Sequence, residues 1–209
     1  MMDQRSPEWF ATRCGRVTAS CIHKVMARTK TGYGADRGNY HAQLVTERLT
    51  GAVAESFSNA AMAWGTDTEP MARDAYSESA LVVVNEVGFV AHPAIEMSGA
   101  SPDGLIGGDG LVEIKCPNSA THIGTLRGDA IDRKYILQMQ WQMACTGRAW
   151  CDFASFDPRL PMEMQLHVRR VERDPELIEE VESEVRKFLA EVDEAVAELT
   201  ARYLMKEAA

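Results

Sequence analysis

A glycine-rich turn between two short apolar runs is the feature that most constrains the fold of this chain. The stretch Gly104-Leu-Ile-Gly-Gly-Asp-Gly-Leu-Val-Glu-Ile-Lys115 predicts a β-hairpin, because two short apolar strands flank a turn built from glycines. Helical patterns surround this hairpin, and the clearest is an apolar stripe at helical spacing from Leu177 to Tyr203. We therefore expect an α/β (α+β) fold with a small mixed central sheet flanked by helices.

The other elements are predicted from helix caps, helix breakers and periodicity. Pro70 fits only the first turn of a helix, so a helix is expected to begin at Thr66 or Asp67 and to end near Ser79. Residues 30–35 are expected to form a basic, glycine-rich loop. One further helix is predicted to begin at Ser6, and a second is predicted to begin after a cap at Thr18 or Ser20. Three more helices are predicted over about 36–49, 120–126 and 132–146. Further strands are predicted over 81–84, 87–90, 149–155 and 162–171.

Length and composition suit one compact domain over residues 1–209. The chain has 45% hydrophobic and 25% charged residues, which are ordinary globular values and exclude global disorder. No apolar run approaches the roughly 20 residues of a membrane span, and no signal peptide is evident, so a cytoplasmic protein with no membrane partner is expected. The five cysteines form no C-x-x-C pair, which argues against a disulfide framework or a cysteine-rich zinc site.

The net charge of −9 is unevenly distributed along the chain. Residues 1–50 contain eight basic and four acidic side chains, whereas residues 172–209 contain five basic and twelve acidic ones. One surface could therefore bind a polyanion while another repels it. The distribution permits a nucleic-acid partner, which the overall charge alone would argue against.

Asp103, Glu113 and Lys115 form the densest cluster of side chains that could carry chemistry. Side chains alternate along a strand, so Glu113 and Lys115 share one face while Ile114 points to the other. The hairpin can bring Asp103 beside Glu113, and two carboxylates are suitable ligands for Mg²⁺ or Mn²⁺. The same residues also suit an Asp-Gly turn followed by a solvated ion pair, so residue chemistry alone leaves both interpretations open.

Several segments resemble one known family in the same order along the chain. Ser101-Pro-Asp-Gly-Leu, a short gap and Glu113-Ile-Lys-Cys-Pro resemble the signature of the lambda-exonuclease-like (YqaJ-type) phage recombination nucleases, in the PD-(D/E)xK restriction-endonuclease-like superfamily. The resemblance extends from about Trp9 to the final helix. The other matching segments are residues 9–20, Ala63-Trp64-Gly65 with Glu69, Gln138-Met-Gln140, and Trp150 with Asp157-Pro158.

The resemblance implies a role for each matching residue. Asp103 and Glu113 would bind Mg²⁺, for which Mn²⁺ would substitute, and the Ile114 carbonyl would be a further ligand. Lys115 would be the catalytic lysine, and Glu69 would support the metal and its waters. The residues implied to hold the 5′-terminal phosphate or the adjacent DNA are Arg13, Ser20, Ser101, Gln138 and Gln140. Two basic residues in or near residues 30–36, Arg28 and Lys30, are also expected to bind DNA.

Most of these side chains also have a plain structural alternative. Arg13 could form a surface ion pair, Ser20 could cap a helix, and Gln138 could be a solvated helix residue. Glu69 could be a first-turn acid that the helix dipole favours. The tryptophans are expected in the core rather than as platforms for base stacking.

The function that the resemblance implies is a Mg²⁺-dependent 5′ to 3′ exonuclease. It would degrade one strand of linear double-stranded DNA from 5′-phosphorylated ends and leave 3′ single-stranded tails for recombination by strand annealing. A ring-shaped homotrimer, a single-strand annealing protein as partner, and a bacterial, phage or prophage context are also implied. Two alternatives stay open: a structure-specific or restriction-type endonuclease of the same fold, and a catalytically silent DNA-end-binding module.

Overall fold

Helices precede and follow a block of short strands. The computed structural model describes residues 3–54 and 60–205. The helices in these ranges are α1 (Pro7–Arg13), α2 (Ile22–Val25), α3 (Ala35–Thr50), α4 (Ala60–Ala80), α5 (Ser119–Leu126), α6 (Arg133–Thr146) and α7 (Pro175–Leu199). None of the helices in this described part of the chain combines the length and the apolarity that a bilayer crossing requires.

The strands of the same ranges are short. They are β1 (Val17–Thr18), β2 (Arg28–Thr29), β3 (Gly32–Tyr33), β4 (Val84–Asn85), β5 (Val90–Ala91), β6 (Ser98–Ala100), β7 (Gly104–Ile106), β8 (Gly110–Lys115), β9 (Trp150–Phe156) and β10 (Leu166–Glu172). Five of them form the main sheet in the order β10-β9-β8-β7-β4. β8 pairs with β9 in parallel and the other neighbours pair antiparallel, so the sheet is mixed, as predicted.

Alternation along β8 directs its side chains into two different layers. Ile114 packs with α4 on one face of the main sheet, through a cluster that includes Ala72 and Tyr76. Leu111 packs on the opposite face against Met139 of α6. Glu113 shares the face of Leu111 because the two residues are two positions apart, so it points towards α6.

A layer of helices completes the core. α7 begins with Pro175 after Asp174, whose side chain accepts a hydrogen bond from the N–H of Leu177 at 3.0 Å. Its apolar stripe, predicted from the sequence, is buried at Phe188 and neighbouring positions against α2, α3 and α6. The sequence therefore predicted the buried face of α7 correctly, although the α-helix ends at Leu199.

Some sequence predictions are wrong in detail. Pro70 lies in the interior of α4, which begins at Ala60 and not at Thr66 or Asp67. An interior proline costs about 3 kcal/mol, and burial of Ala72 and Tyr76 against the sheet offsets this cost. Residues 30–35 are not wholly loop, since β2 and β3 form a two-stranded hairpin there.

The strands near the main sheet also differ from the prediction. The runs predicted over 81–84 and 87–90 overlap β4 and β5 only at Val84 and Val90. The run predicted over 162–171 begins with a 3₁₀ turn at Met162–Met164, and β10 follows. β6 was not predicted, because its Ser-Gly-Ala sequence lacks the β-branched residues that signal a strand.

Candidate active site

The β7–β8 hairpin brings Asp103 beside β8. The Oδ2 atom of Asp103 accepts a hydrogen bond from the backbone N–H of Ile114 at 2.7 Å. Gly104 pairs with Val112, so the antiparallel register places Asp103 next to Glu113. A Cβ atom on Gly104 would lie 2.1 Å from Cγ1 of Val84, so packing against β4 requires glycine here. The Asp-Gly pair therefore does more than form a turn.

Glu113 is fully buried and is held by three donors. Its Oε1 accepts hydrogen bonds from Nζ of Lys115 and from Nε2 of Gln138, the latter at 2.7 Å. Its Oε2 accepts a hydrogen bond from Nε2 of Gln142 at 2.6 Å. A carboxylate has about four lone-pair positions, so these contacts leave Oε2 able to accept one more ligand. The pair formed by Glu113 and Lys115 is thus not the solvated surface pair that the sequence alone permitted.

The ionisation of Asp103 and that of Lys115 depend on each other. Burial raises the pKa of Asp103, and repulsion from Glu113 raises this pKa further. Burial lowers the pKa of Lys115, but attraction to Glu113 and Asp103 outweighs this effect and raises the pKa overall. Lys115 is therefore an ammonium at neutral pH.

Asp103 and Glu113 suit a hydrated divalent cation. In residues 3–54 and 60–205, no three His, Cys, Asp or Glu side chains converge on one point. Mg²⁺ needs no such cage, because it keeps several waters and binds through one or two carboxylates. Repulsion between Asp103 and Glu113 is what a bound cation would relieve. The group of Ile114 that lies beside Asp103 is its N–H.

Glu69 lies on a cleft of about 890 Å³ that is also lined by Ile114 and Lys115. It comes from α4, and both of its carboxylate oxygens are engaged. Oε2 accepts a hydrogen bond from Arg5 at 2.6 Å, and Oε1 accepts one from Arg73 at 2.7 Å. The structure therefore brings Glu69 to the predicted site but pairs it with two arginines.

Arg13 and Ser101 meet next to this site. The guanidinium of Arg13 donates to Oγ of Ser101 at 3.2 Å and stacks on the ring of Trp9, with its carbon 3.9 Å from the ring centre. Nε1 of Trp9 donates to the same Oγ at 2.9 Å. Ser101 is two residues before Asp103, so one short loop connects the residue that Arg13 contacts to the carboxylate of Asp103.

A second cavity, of about 550 Å³, is lined by Arg13 and Ser20 together with further cationic and hydroxyl side chains. Oγ of Ser20 lies 3.4 Å from Oγ1 of Thr18. Arg16 and Lys24 add positive charge to the same cavity. Guanidinium, ammonium and hydroxyl groups are common ligands of phosphate, so this cavity suits a terminal phosphate.

Gln138 and Gln140 lie outside the cavity that contains Arg13. Gln138 contacts Glu113, as described above, and does not line the cavity that contains Arg13. Gln140 is buried: its Nε2 donates to the carbonyl of Glu172 at 2.8 Å, and its Oε1 accepts the N–H of Asp174 at 2.9 Å. The structure thus gives Gln140 a structural role at the start of α7 and does not bring it to the site.

Two predicted cationic residues belong to the β2–β3 hairpin. Arg28 pairs with Oε1 of Glu184 on α7 at 3.0 Å. Lys30 is exposed in the turn between the two strands. Neither residue lines the cleft of Lys115 or the cavity of Arg13.

Sequence reasoning missed several residues that contact the site. Gln142 is the clearest, and its position one turn after Gln138 on α6 was an available signal, since residues four apart share a helix face. Arg5 and Gln4 gave no comparable signal. Arg159 also lines the cleft, with its guanidinium carbon 4.5 Å from the ring centre of Trp64.

The chain is similar to a known protein family over much of its length. A family model described as a YqaJ-like viral recombinase domain matches residues 8–149. An uncharacterised protein of Acanthamoeba polyphaga mimivirus is 30% identical over 165 residues, which are 72% of this chain and 28% of that protein. The protein ExoD of Escherichia coli K12 is 34% identical over 71 residues, which are 34% of this chain and 80% of that protein. The chain thus spans less than a third of its mimivirus relative.

Solved structures extend the comparison over nearly the whole chain. LHK-Exo in complex with dAMP is 51% identical, with a TM-score of 0.88 over 94% of this chain and 97% of that chain. LHK-Exo is an alkaline exonuclease from Laribacter hongkongensis. A phage-related exonuclease from Haemophilus somnus 129PT is 16% identical, with a TM-score of 0.68 over 88% of this chain and 96% of that chain, and shows the shared fold alone. The chain therefore belongs to the YqaJ-like viral recombinase family and is an exonuclease.

Proposed function

We propose that this exonuclease is Mg²⁺-dependent and degrades one strand of linear double-stranded DNA from 5′-phosphorylated ends, in the 5′ to 3′ direction. It would leave 3′ single-stranded tails for recombination by strand annealing. The position of Ser101 carries the proposal, because its hydroxyl contacts Arg13 and its loop continues directly to Asp103. A 5′-phosphate held at Arg13 would be next to the carboxylates that suit the metal.

The residues around Arg13 would select the end of the DNA. The planar guanidinium can donate two parallel hydrogen bonds to a terminal phosphate. Hydroxyl groups of Ser20 and Ser101 would add further donors. Stacking on Trp9 fixes the orientation of Arg13, so little side-chain entropy is lost when a phosphate binds.

Asp103 and Glu113 would hold the metal, and Lys115 would act on the reacting atoms. When bound, Mg²⁺ lowers the pKa of coordinated water and neutralises charge on the phosphoryl oxygens. The ammonium of Lys115 would orient the attacking water and stabilise the negative charge that develops on those oxygens. Gln138 and Gln142 hold the carboxylate of Glu113 in place during this step.

DNA as substrate is supported by the charge of the cleft and by the relative. Lys115, Lys134, Arg5 and Arg159 line the cleft, and cationic side chains supply most of the affinity for a phosphate backbone. LHK-Exo was solved with dAMP, a deoxynucleoside monophosphate. We infer that this chain releases the same class of product.

The oligomeric state and the protein partner are further parts of the same proposal. We infer a ring-shaped homotrimer that encloses DNA, in which the acidic α7 would lie away from the bound strand. A single-strand annealing protein would be the partner, in the cytoplasm of a bacterium that carries phage or prophage genes. Light scattering that reports a monomer at working concentrations would contradict the trimer, and co-purification with a neighbouring annealing protein would support the partnership.

Polarity and end preference are tested with labelled DNA. Linear duplexes carry a label at one 5′ end or at one 3′ end, with 5′-phosphate or 5′-hydroxyl termini, and are incubated with Mg²⁺ or with EDTA. The proposal predicts early release of the 5′ label as a mononucleotide, faster from phosphorylated ends and abolished by EDTA. Early release of the 3′ label would contradict the polarity.

Circular DNA separates the alternatives. The proposal predicts that closed circular duplexes stay intact under the same conditions, since they offer no end. Cleavage of circles would favour an endonuclease of the same fold. Binding to linear ends without any release would favour a silent end-binding module.

A further inference from the structure

Residues 3–6, which we call the strap, connect the loop before Asp103 to other parts of the site. Nε2 of Gln4 donates two hydrogen bonds, to the carbonyl oxygens of Val87 and Pro102, both at 2.8 Å. Pro102 directly precedes Asp103. Because proline has no N–H, the carbonyl is the backbone hydrogen-bonding group that Pro102 offers. Gln4 therefore restrains the main chain next to the carboxylate.

Arg5 anchors the strap on the opposite side. Its Nη2 donates to Oε2 of Glu69 at 2.6 Å, and its backbone adopts a left-handed conformation with φ of 70°. That conformation is unfavourable for a non-glycine residue. The charge-assisted contact with Glu69 compensates for this cost and directs the side chain into the cleft beside Lys115.

Ser6 anchors the end of the strap. Its hydroxyl caps α1 by accepting the N–H of Trp9 at 3.2 Å. Trp9 in turn donates to Ser101 at 2.9 Å, in the same loop that Gln4 contacts. The loop of residues 101–103 is therefore held at Pro102 by Gln4 and at Ser101 by Trp9. Both contacts are made by side chains, so neither is a backbone hydrogen bond of a helix or a sheet.

We propose that Gln4 is a positioning residue for Asp103, and that the strap fixes the metal-binding carboxylate through the carbonyl of Pro102. The proposal rests on the proposed function for Asp103 as a metal ligand and for the identity of the metal. Asp103 is restrained at its side chain by the N–H of Ile114 and at its backbone by Gln4. Two points of attachment define the direction of a short side chain, as a metal ligand requires.

Loss of Gln4 should weaken cation binding without removing a ligand. Hydrogen bonds of this kind contribute about 0.5–1.5 kcal/mol each, so we expect the Kd for Mn²⁺ to rise about threefold to tenfold. The maximal rate at saturating Mg²⁺ should stay within about twofold, because Asp103 itself is present in the variant. The Mg²⁺ concentration for half-maximal rate should rise in parallel with the Kd.

The experiment is a calorimetric titration of the full chain with MnCl₂ in the absence of DNA. It compares the wild type with Gln4→Ala, with the isosteric Gln4→Glu, and with Gln165→Ala. Nε2 of Gln165 also donates to two carbonyls, those of Pro158 at 3.1 Å and Leu160 at 2.9 Å, so it is a matched control away from Asp103. Asp103→Asn defines the loss of a true ligand, and thermal melting shows whether each variant folds.

The expected order of Mn²⁺ affinity is wild type and Gln165→Ala, then both Gln4 variants, then Asp103→Asn. Equal affinity of wild type and Gln4→Ala would overturn the proposal, and so would equal weakening by Gln165→Ala. A wild-type chain that does not bind Mn²⁺ would overturn it as well. A wild type that binds Mn²⁺ but releases no nucleotide would overturn the proposed function alone, and the role of Gln4 would still be decided by the titration.

Discussion

Nε2 of Gln142 lies 2.6 Å from Oε2 of Glu113, and both side chains are fully buried. An isolated buried carboxylate is strongly unfavourable, because it loses its hydration. Hydrogen bonds to the ionised form compensate for that loss. Gln138 and Gln142 lie one turn apart on α6, so this helix holds the carboxylate beside the apolar cluster that includes Met139 and Phe153.

Gln142→Met should weaken cation binding and slow nucleotide release. Methionine has a similar length but cannot donate, so Glu113 loses a charge-assisted hydrogen bond of about 1.5–3 kcal/mol, which corresponds to roughly tenfold to a hundredfold. We expect kcat/KM for labelled linear DNA and the affinity for Mn²⁺ to fall together. Melting shows whether the variant stays folded, and unchanged values of both quantities would contradict the role assigned to Gln142.

Arg13→Lys should reduce the preference for phosphorylated ends. Lysine keeps the charge but loses the planar fork and the stacking on Trp9, so the ratio of kcat/KM between 5′-phosphate and 5′-hydroxyl ends should fall at least about tenfold. The measurement is initial release from the two kinds of end. Arg186→Lys on α7, whose side chain contacts Glu182, is the matched control. An unchanged ratio in Arg13→Lys would place the phosphate elsewhere.

Gly104→Ala should destabilise the chain and disturb Asp103. The added Cβ would lie 2.1 Å from Cγ1 of Val84, and overpacking of this kind costs typically 1–3 kcal/mol. Urea unfolding of the single variants and of the Gly104→Ala, Val84→Ala double variant measures the effect. We expect the alanine at position 104 to cost less in the Val84→Ala background. Strictly additive free energies would contradict a clash between these two positions.

Asp157→Asn should lower stability at neutral pH and not in strong acid. Burial alone raises the pKa of Asp157, but hydrogen bonds from Arg159 and Ser119 outweigh burial and lower the pKa to about 2. Because the pKa is depressed in the folded state, the stabilisation is present above about pH 4 and is lost as pH falls through about 2.

The size of this effect is limited by solvent, since the Arg159 side chain is 44% exposed. We expect Asp157→Asn to lose about 1 kcal/mol of unfolding free energy at pH 7. Urea unfolding at pH 7 and near pH 2 provides the comparison. A difference between variant and wild type that persists undiminished near pH 2 would contradict the pKa assigned to Asp157.

The sequence predictions that are correct rest on patterns within short stretches of the chain. The β7–β8 hairpin joins Asp103 to Glu113 through only nine intervening residues, and its glycines and apolar runs are visible in the sequence. The apolar stripe of α7 is equally local. The proximity of Asp103 to Glu113 was therefore predictable from the sequence, although the burial of Glu113 was not.

Long-range contacts explain what the sequence could not predict. Gln4 and the carbonyl of Pro102 are 98 residues apart, and no periodicity signals such a contact. Arg5 reaches Glu69 across 64 residues in the same way. At Pro70 the local rule failed. It predicted that a helix begins just before the proline, but α4 continues through Pro70 because its packing against the sheet outweighs the cost of an interior proline.

If Asp103 holds the Mg²⁺ that the proposed reaction needs, nucleotides are not removed from 5′-phosphorylated ends when either Asp103 or Mg²⁺ is lost. The most direct test measures mononucleotide release from 5′-phosphorylated linear duplexes by wild type and Asp103→Asn, with Mg²⁺ and with EDTA, while a binding assay confirms that both proteins hold the DNA end. We expect release only by the wild type with Mg²⁺. Release by Asp103→Asn at the wild-type rate, or by the wild type in EDTA, would contradict it.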